Sequence, residues 1–163
     1  MSRFHSRNVR NRLPAKVLIR KILVPVDGSE SSMRAAEFAI DISKMKEAKV
    51  IALHVIHVPA YAYSGIEGTP TLPVSLLEAE KEAAKAYVDK VYELAKSVGV
   101  EVETKIIEDR PSVVHAITDF AEKQGCDLIV MGTKGRSGIK KFLLGSVADG
   151  VLTYAHCPVL VVR

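Results

Sequence analysis

The sequence predicts an α/β fold: an open five-stranded parallel sheet with helices on both faces. Short apolar runs alternate with longer stretches whose apolar residues recur at three and four, in the order β-α-β-α-β-α-β-α-β. Most of the short runs are apolar on every residue, the pattern of strands covered by helices on both sides. No internal repeat or low-complexity tract breaks the order, and 163 residues suffice for one domain with a core that needs no disulfide or structural metal.

Each element has its own signal. Ile22 to Val26 is a buried strand that stops at a turn, with Pro25 at its end because proline brings no ladder N–H. Residues 29 to 45 read as a helix with Ala35, Phe38, Ala39 and Ile42 on one face, capped by Asp27 or Ser29 with Glu30 helping. Lys49 to Val58 is a second buried strand. Residues 59 to 74, which begin PAYAYSGIEGTPTLP, form a loop long enough to be a lid, a binding loop or a mobile insert. Ser75 to Val98 is the clearest helix, with Leu76, Ala79, Ala83, Tyr87, Val91, Leu94 and Val98 on one face and Gly99 after it. Val100 to Ile107 alternates apolar and charged residues, so it is an edge strand. Ser112 to Gln124 is a third helix with Pro111 in its first turn, Asp127 to Met131 a buried strand, Phe142 to Ala155 a fourth helix, and Pro158 to Val162 the last strand.

Charge is unevenly spread. The net charge is +4, but residues 1–20 alone carry +6 and no acid, which leaves −2 for residues 21–163. The chain therefore divides into a basic N-terminal arm, residues 1–20, without helical or strand period, and a mildly acidic domain, residues 21–163. Such an arm can touch nucleic acid electrostatically, but with only Phe4 and His5 for stacking it does not make a dedicated recognition module. No apolar stretch approaches the ~20 residues of a membrane span. The basic start lacks the apolar core of a secretory signal, although an acid-free start with Arg and Ser also suits an organelle transit peptide. The expected location is the cytoplasm. There Cys126 and Cys157, which form no CxxC pattern, are two small buried hydrophobes; a disulfide is the alternative, since each begins an apolar run.

The chemistry concentrates in VMGTKGRSGIKKFLLGSV, residues 130–147. Glycines stand at 132, 135, 138 and 145, and Lys134, Arg136, Lys140 and Lys141 lie among them. The segment follows a buried strand and leads into a helix. In open parallel sheets, ligands occupy the crevice beyond the carboxyl ends of the strands. Glycines let backbone N–H groups come close, and a helix N-terminus favours an anion, so the ligand these residues suit is a phosphate group, with an ordinary turn as the alternative. The pattern GxxxxGK[ST] is absent, and VPVDGSESS stands where a dinucleotide fingerprint GxGxxG follows the first strand.

The spacing Gly132-x2-Gly135-x9-Gly145-Ser146 is similar to the ATP-binding motif of the universal stress protein family. KILVPVDGSESS resembles that family's first strand and turn, and DLIVMGTKGRSGIKKFLLGSVADGVLTYAHCPVLVV its closing block, so the resemblance spans about Lys21 to Arg163. It implies a Rossmann-like sheet of the adenine-nucleotide alpha-hydrolase type, in strand order 3-2-1-4-5. Also implied are bound ATP, with Mg2+ or Mn2+ held through the phosphates, and a homodimer joined along Pro158, Val159, Leu160, Val161 and Val162. Carried over by position, Asp27 takes the ribose hydroxyls, Pro25 and Val26 line that side, Val55 meets the adenine through its backbone, and Met131 flanks the nucleotide. Gly132, Gly135 and Gly145 admit the phosphates, Ser146 offers hydroxyl and N–H, Val147 adds its N–H, and Lys134 and Arg136 bring charge nearby.

Each residue has a plainer alternative: Asp27 or Ser146 as a helix cap, Val55 as core. The apolar last strand is equally consistent with a central place in the sheet. His54 and His57, three apart on a strand, face opposite sides and make no metal pair. His115 and His156 show no acidic or thiol partner at ligand spacing, Asp109, Arg110 and Asp127 read as loop or strand-start charges, and no GxSxG, HExxH or Cys/His nucleophile pattern occurs. No general base stands at the phosphate end. The leading expectation is thus an ATP-binding regulatory protein in which ATP is a ligand; a slow ATPase or phosphotransferase is the alternative, and a dimeric interaction module with an empty pocket the third.

Overall fold

A computed structural model describes residues 18–57, 74–109, 112–135 and 144–163. The expectations for most of the basic arm, for the loop 59–73, for Arg110 and Pro111, and for Arg136, Gly138, Lys140 and Lys141 fall outside them. Nine elements follow in order: β1 (Lys21–Pro25), α1 (Glu30–Lys46), β2 (Lys49–His57), α2 (Val74–Ser97), β3 (Val102–Asp109), α3 (Val113–Lys123), β4 (Leu128–Gly132), α4 (Ser146–Tyr154) and β5 (Val159–Val162). The strands form one parallel sheet in the order β3-β2-β1-β4-β5. This is the predicted α/β architecture with the predicted strand order, and β3 is an edge.

Register explains how one sheet carries two cores. Leu23 lies opposite Ile51 and Ile129, and Ile129 opposite Val159, so these side chains form a row across the sheet. That row packs with Ile117, Ala121, Ala148 and Val151 of α3 and α4. Their neighbours Ile22, Val24, Val50 and Val130 pack on the other side against Ala35, Ala39, Val88 and Val91 of α1 and α2. Alternate side chains of a strand point to opposite faces, so mostly apolar strands are what two covering layers require.

Local signals set the ends. Pro25 ends β1. Ser29 caps α1, its hydroxyl accepting the Ser32 N–H at 3.3 Å, and Ser112 caps α3 through the His115 N–H. Asp127 has a larger part than a strand-start charge: its Oδ2 accepts the N–H groups of Arg20 at 2.8 Å and Lys21 at 3.0 Å, tying the beginnings of β1 and β4 together.

Three expectations need correction. Phe38 is 53% exposed, and the buried stripe of α1 is Ser32, Ala35, Ala36, Ala39, Ile40 and Ser43. Small side chains let this helix lie close over the sheet, where a phenyl ring does not fit. In α2 the buried residues are Ala84, Val88, Val91 and Ala95, while Leu76 and Val98 stay exposed, so the inward face is turned by about one residue from the predicted one. α4 begins at Ser146, not Phe142, because Gly145 has extended backbone (φ −66°, ψ 148°) and its N–H turns back to the Thr133 carbonyl at 2.7 Å. A central place for β5 is also excluded: it is the second edge.

Candidate functional site

The carboxyl ends of β1 and β4 meet the N-termini of α1 and α4 at one place. After β1, Val26 keeps its N–H on the Leu53 carbonyl at 2.8 Å, and its own carbonyl meets His54 Nδ1 at 2.7 Å. The chain then turns at Gly28, whose φ of +80° suits glycine, and the Tyr87 ring occupies the place a side chain there would need. Tyr87 in turn packs on His54, with ring centroids 5.4 Å apart. His54 is therefore a buried, hydrogen-bonded part of the wall behind the turn.

Asp27 projects from that turn. Its Oδ1 accepts the Ser29 N–H at 3.1 Å and the Ser29 hydroxyl at 2.6 Å. Its Oδ2 faces Gly135: a Cβ on Gly135 would stand 2.8 Å from it. The first turn of α1 also reaches the segment after β4, for Ser31 Oγ donates to the Lys134 carbonyl at 2.5 Å. At Gly132 the backbone lies close to α1, a Cβ there falling 2.6 Å from Ser31 Oγ and 2.8 Å from Ser32 N.

α4 completes the corner. A Cβ on Gly145 would lie 3.0 Å from the Thr133 carbonyl and 3.8 Å from the Gly135 nitrogen. Thr133 is held from the other side as well, its N–H on the Val162 carbonyl at 2.9 Å. No side chain caps α4, since its N-cap is Gly145. Ser146 is the first helical residue rather than the cap, and the first-turn N–H groups of Ser146 and Val147 have no acceptor within the helix. A side of the corner is apolar: Met131 is buried, and Val55 and Val147 pack with it in the cluster under α3 and α4.

The structure thus joins Asp27, Gly132, Lys134, Gly135, Gly145, Ser146 and Val147 in one corner, with Pro25 and Val26 behind it and Val55 and Met131 at its apolar side. Arg136 lies outside the described residues. Ser29 and Ser31 were not singled out by the sequence reading as site residues; the only sequence signal was the run SESS directly after Asp27-Gly28.

The family model described as the Universal stress protein family matches residues 18–163. The chain belongs to the universal stress protein family. A relative from Methanocaldococcus jannaschii, Universal stress protein MJ0531, is 43% identical over 146 residues, which are 90% of this chain and 83% of the relative. Among solved structures, Universal stress protein UspA from Lactobacillus plantarum superposes with a TM-score of 0.75 at 31% identity, covering 89% of this chain and 98% of that one. A universal stress protein solved in complex with cAMP superposes with a TM-score of 0.68 at 27% identity, covering 90% of this chain and 98% of that one.

Other candidates among the described residues carry less. No group of three or more His, Cys, Asp or Glu there could hold a metal ion. His115 does have an acidic partner, contrary to the expectation: Asp119 Oδ1 is 3.2 Å from its Nδ1, one helical turn on, and Lys123 shares that carboxylate at 3.3 Å. His115 and His156 border a groove of about 480 Å3 between α3 and α4, whose lining includes none of Gly132, Gly135 and Gly145. Cys126 and Cys157 are both free thiols. Burial raises both thiol pKa values, that of Cys126 to about 11, which leaves them protonated and unreactive near neutrality. Among the described residues, no helix is long and apolar enough to cross a membrane.

Proposed function

We propose that this universal stress protein is a nucleotide-binding regulatory protein that holds ATP in the corner between the β1 turn and the start of α4. The observation that carries this reading is the convergence of Asp27, Gly135 and an uncapped α4 N-terminus: a Cβ on Gly135 would stand 2.8 Å from Asp27 Oδ2, and one on Gly145 would stand 3.8 Å from the Gly135 nitrogen. Glycine at 135 and 145 lets the backbone come close to a ligand, and the helix start favours negative charge. A carboxylate a few ångströms away suits ribose hydroxyls, which donate hydrogen bonds to it. Val55 and Met131 offer an apolar flank for adenine. The relative crystallised with cAMP supports the adenine-nucleotide class. A divalent ion, Mg2+ or Mn2+, would be held through the phosphates.

A second copy of the chain is the partner proposed for β5, Pro158 to Val162. This edge strand is apolar, and Leu160 is 37% exposed on it. Pairing across a two-fold axis would cover an edge that otherwise invites aggregation. ATP acts here as a ligand that shifts conformation or partner choice, which requires different affinities for two states.

Calorimetric titration of the full chain with ATP and Mg2+ tests the reading, followed by nucleotide analysis over hours. Saturable binding with ATP recovered intact is expected. No binding at millimolar ATP overturns the proposal, and steady release of ADP replaces a ligand with a substrate. Sedimentation of Leu160→Asp beside the parent chain tests the pairing: the dimer is expected in the parent and lost in the variant.

A further inference from the structure

The segment that follows β4 is pinned from three elements, and one of the pins decides where a single backbone N–H points. Thr133 is held by β5 through its N–H and by α4 through its carbonyl. The Lys134 carbonyl turns to α1, where two hydroxyls lie within reach, Ser31 Oγ at 2.5 Å and Ser29 Oγ at 3.2 Å. A hydroxyl has one proton to give. That of Ser29 goes to the Asp27 carboxylate at 2.6 Å, the shorter and charge-assisted bond. Ser31 is then the donor that fixes the Lys134 carbonyl.

A trans peptide sets its N–H opposite its carbonyl. With the Lys134 carbonyl drawn toward α1, the Gly135 N–H is directed away from α1. The Gly135 nitrogen lies on the side of α4, 3.8 Å from the place of a Gly145 Cβ. Among the described residues, this N–H donates to no backbone carbonyl. We infer that Ser31 is a positioning residue for the phosphate end of the site: its hydrogen bond to the Lys134 carbonyl orients the 134–135 peptide so that the Gly135 N–H joins those of Ser146 and Val147 as donors to phosphate oxygens. The inference rests on the nucleotide reading above and deepens it. It assigns to a serine outside the glycine motif the discrimination between phosphorylated and unphosphorylated nucleosides.

Affinities of ATP and adenosine for the parent chain, Ser31→Ala and Ser31→Thr test it by calorimetry. Loss of the Ser31 donor frees one peptide plane, so ATP binding should weaken about five- to tenfold in Ser31→Ala, the effect of one hydrogen bond. Adenosine affinity should change less than about twofold, because adenosine brings no phosphate, and Ser31→Thr, which keeps the hydroxyl, should restore ATP binding. Should the alanine variant not fold, Ser31→Cys, similar in size with a weak donor, carries the same comparison. Unchanged ATP affinity in a folded variant overturns the inference. Equal losses for ATP and adenosine overturn it too, since they assign Ser31 to the fold rather than to phosphate. Failure of the parent chain to bind ATP removes the nucleotide reading itself and this inference with it.

Discussion

Replacing Gly132 with alanine should destabilise the fold before it says anything about a ligand. A Cβ at 132 would stand 2.6 Å from Ser31 Oγ, 2.7 Å from the Ser31 carbonyl carbon and 2.8 Å from the Ser32 nitrogen. Two of those atoms are backbone in the first turn of α1, which is fixed by the Ser29 cap and by the Ser31 bond to Lys134. They cannot swing aside as a side chain can. Either the helix start moves off the sheet or β4 does, and overpacking of this kind costs about 1–3 kcal/mol. With backbone on the receiving side, the upper end is expected, about 3 kcal/mol, or a fall in Tm of about 6–12 °C for a chain of this size. Gly150→Ala is the matched control. There the nearest atoms are the Val114 methyls at 2.7 and 2.9 Å, a side chain that can adjust, so about 1 kcal/mol is expected. Urea unfolding of both variants gives the two free energies directly. A Gly132→Ala variant within about 0.5 kcal/mol of the parent, or one less affected than Gly150→Ala, would refute the argument.

Asp127→Ala removes the acceptor shared by the Arg20 and Lys21 N–H groups; a loss of about 2–3 kcal/mol is expected, with faster amide exchange at Lys21 as the local signature. Glu47 closes α1 with φ 55°, a left-handed conformation that costs a residue with a Cβ about 1 kcal/mol, so Glu47→Gly or Glu47→Asn should leave the melting temperature level or raise it, and a clear drop would contradict the cap. Burial raises the native Cys126 thiol to about 11 from an ordinary value near 9. The unfolded chain therefore loses this proton first, and stability should fall as pH rises from 9 through 11. In Cys126→Ala that alkaline slope should be shallower, and identical slopes in urea unfolding across this range would count against the burial effect.

The fold was legible because its signals are local and redundant. Four apolar runs and one alternating strand, interleaved with helical periods, leave few choices besides a covered parallel sheet, and Pro25 and Ser29 mark their element ends in type and position. Helix faces were less legible. Phe38 falls on a perfect three-four repeat yet points to water, because α1 sits close over the sheet and the decisive residues are the alanines on either side of the ring. Periodicity reports which residues share a face; it does not report how near that face lies to its neighbour. The start of α4 was misplaced for a related reason. Phe142, Leu143 and Leu144 look like helix interior, but the hydrogen bond from Gly145 to Thr133 that prevents the helix from beginning earlier joins residues 12 apart in the chain.

In the site, the glycine spacing was readable and its division of labour was not. A motif written as three equivalent glycines contains three different contacts. Gly132 meets the backbone of α1, Gly135 the Asp27 carboxylate, and Gly145 the carbonyl of Thr133. The first brings in α1, and α1 brings Ser31 to the Lys134 carbonyl. Substituting Gly132 therefore disturbs the helix whose serine orients the neighbouring peptide, so lost binding in that variant cannot be assigned to a phosphate contact. Gly135 is the informative position, since among the described residues a methyl there meets only the far end of one carboxylate. The SESS run and the glycine segment lie about 100 residues apart in sequence, and they form one constellation because β1 and β4 are neighbours in the sheet.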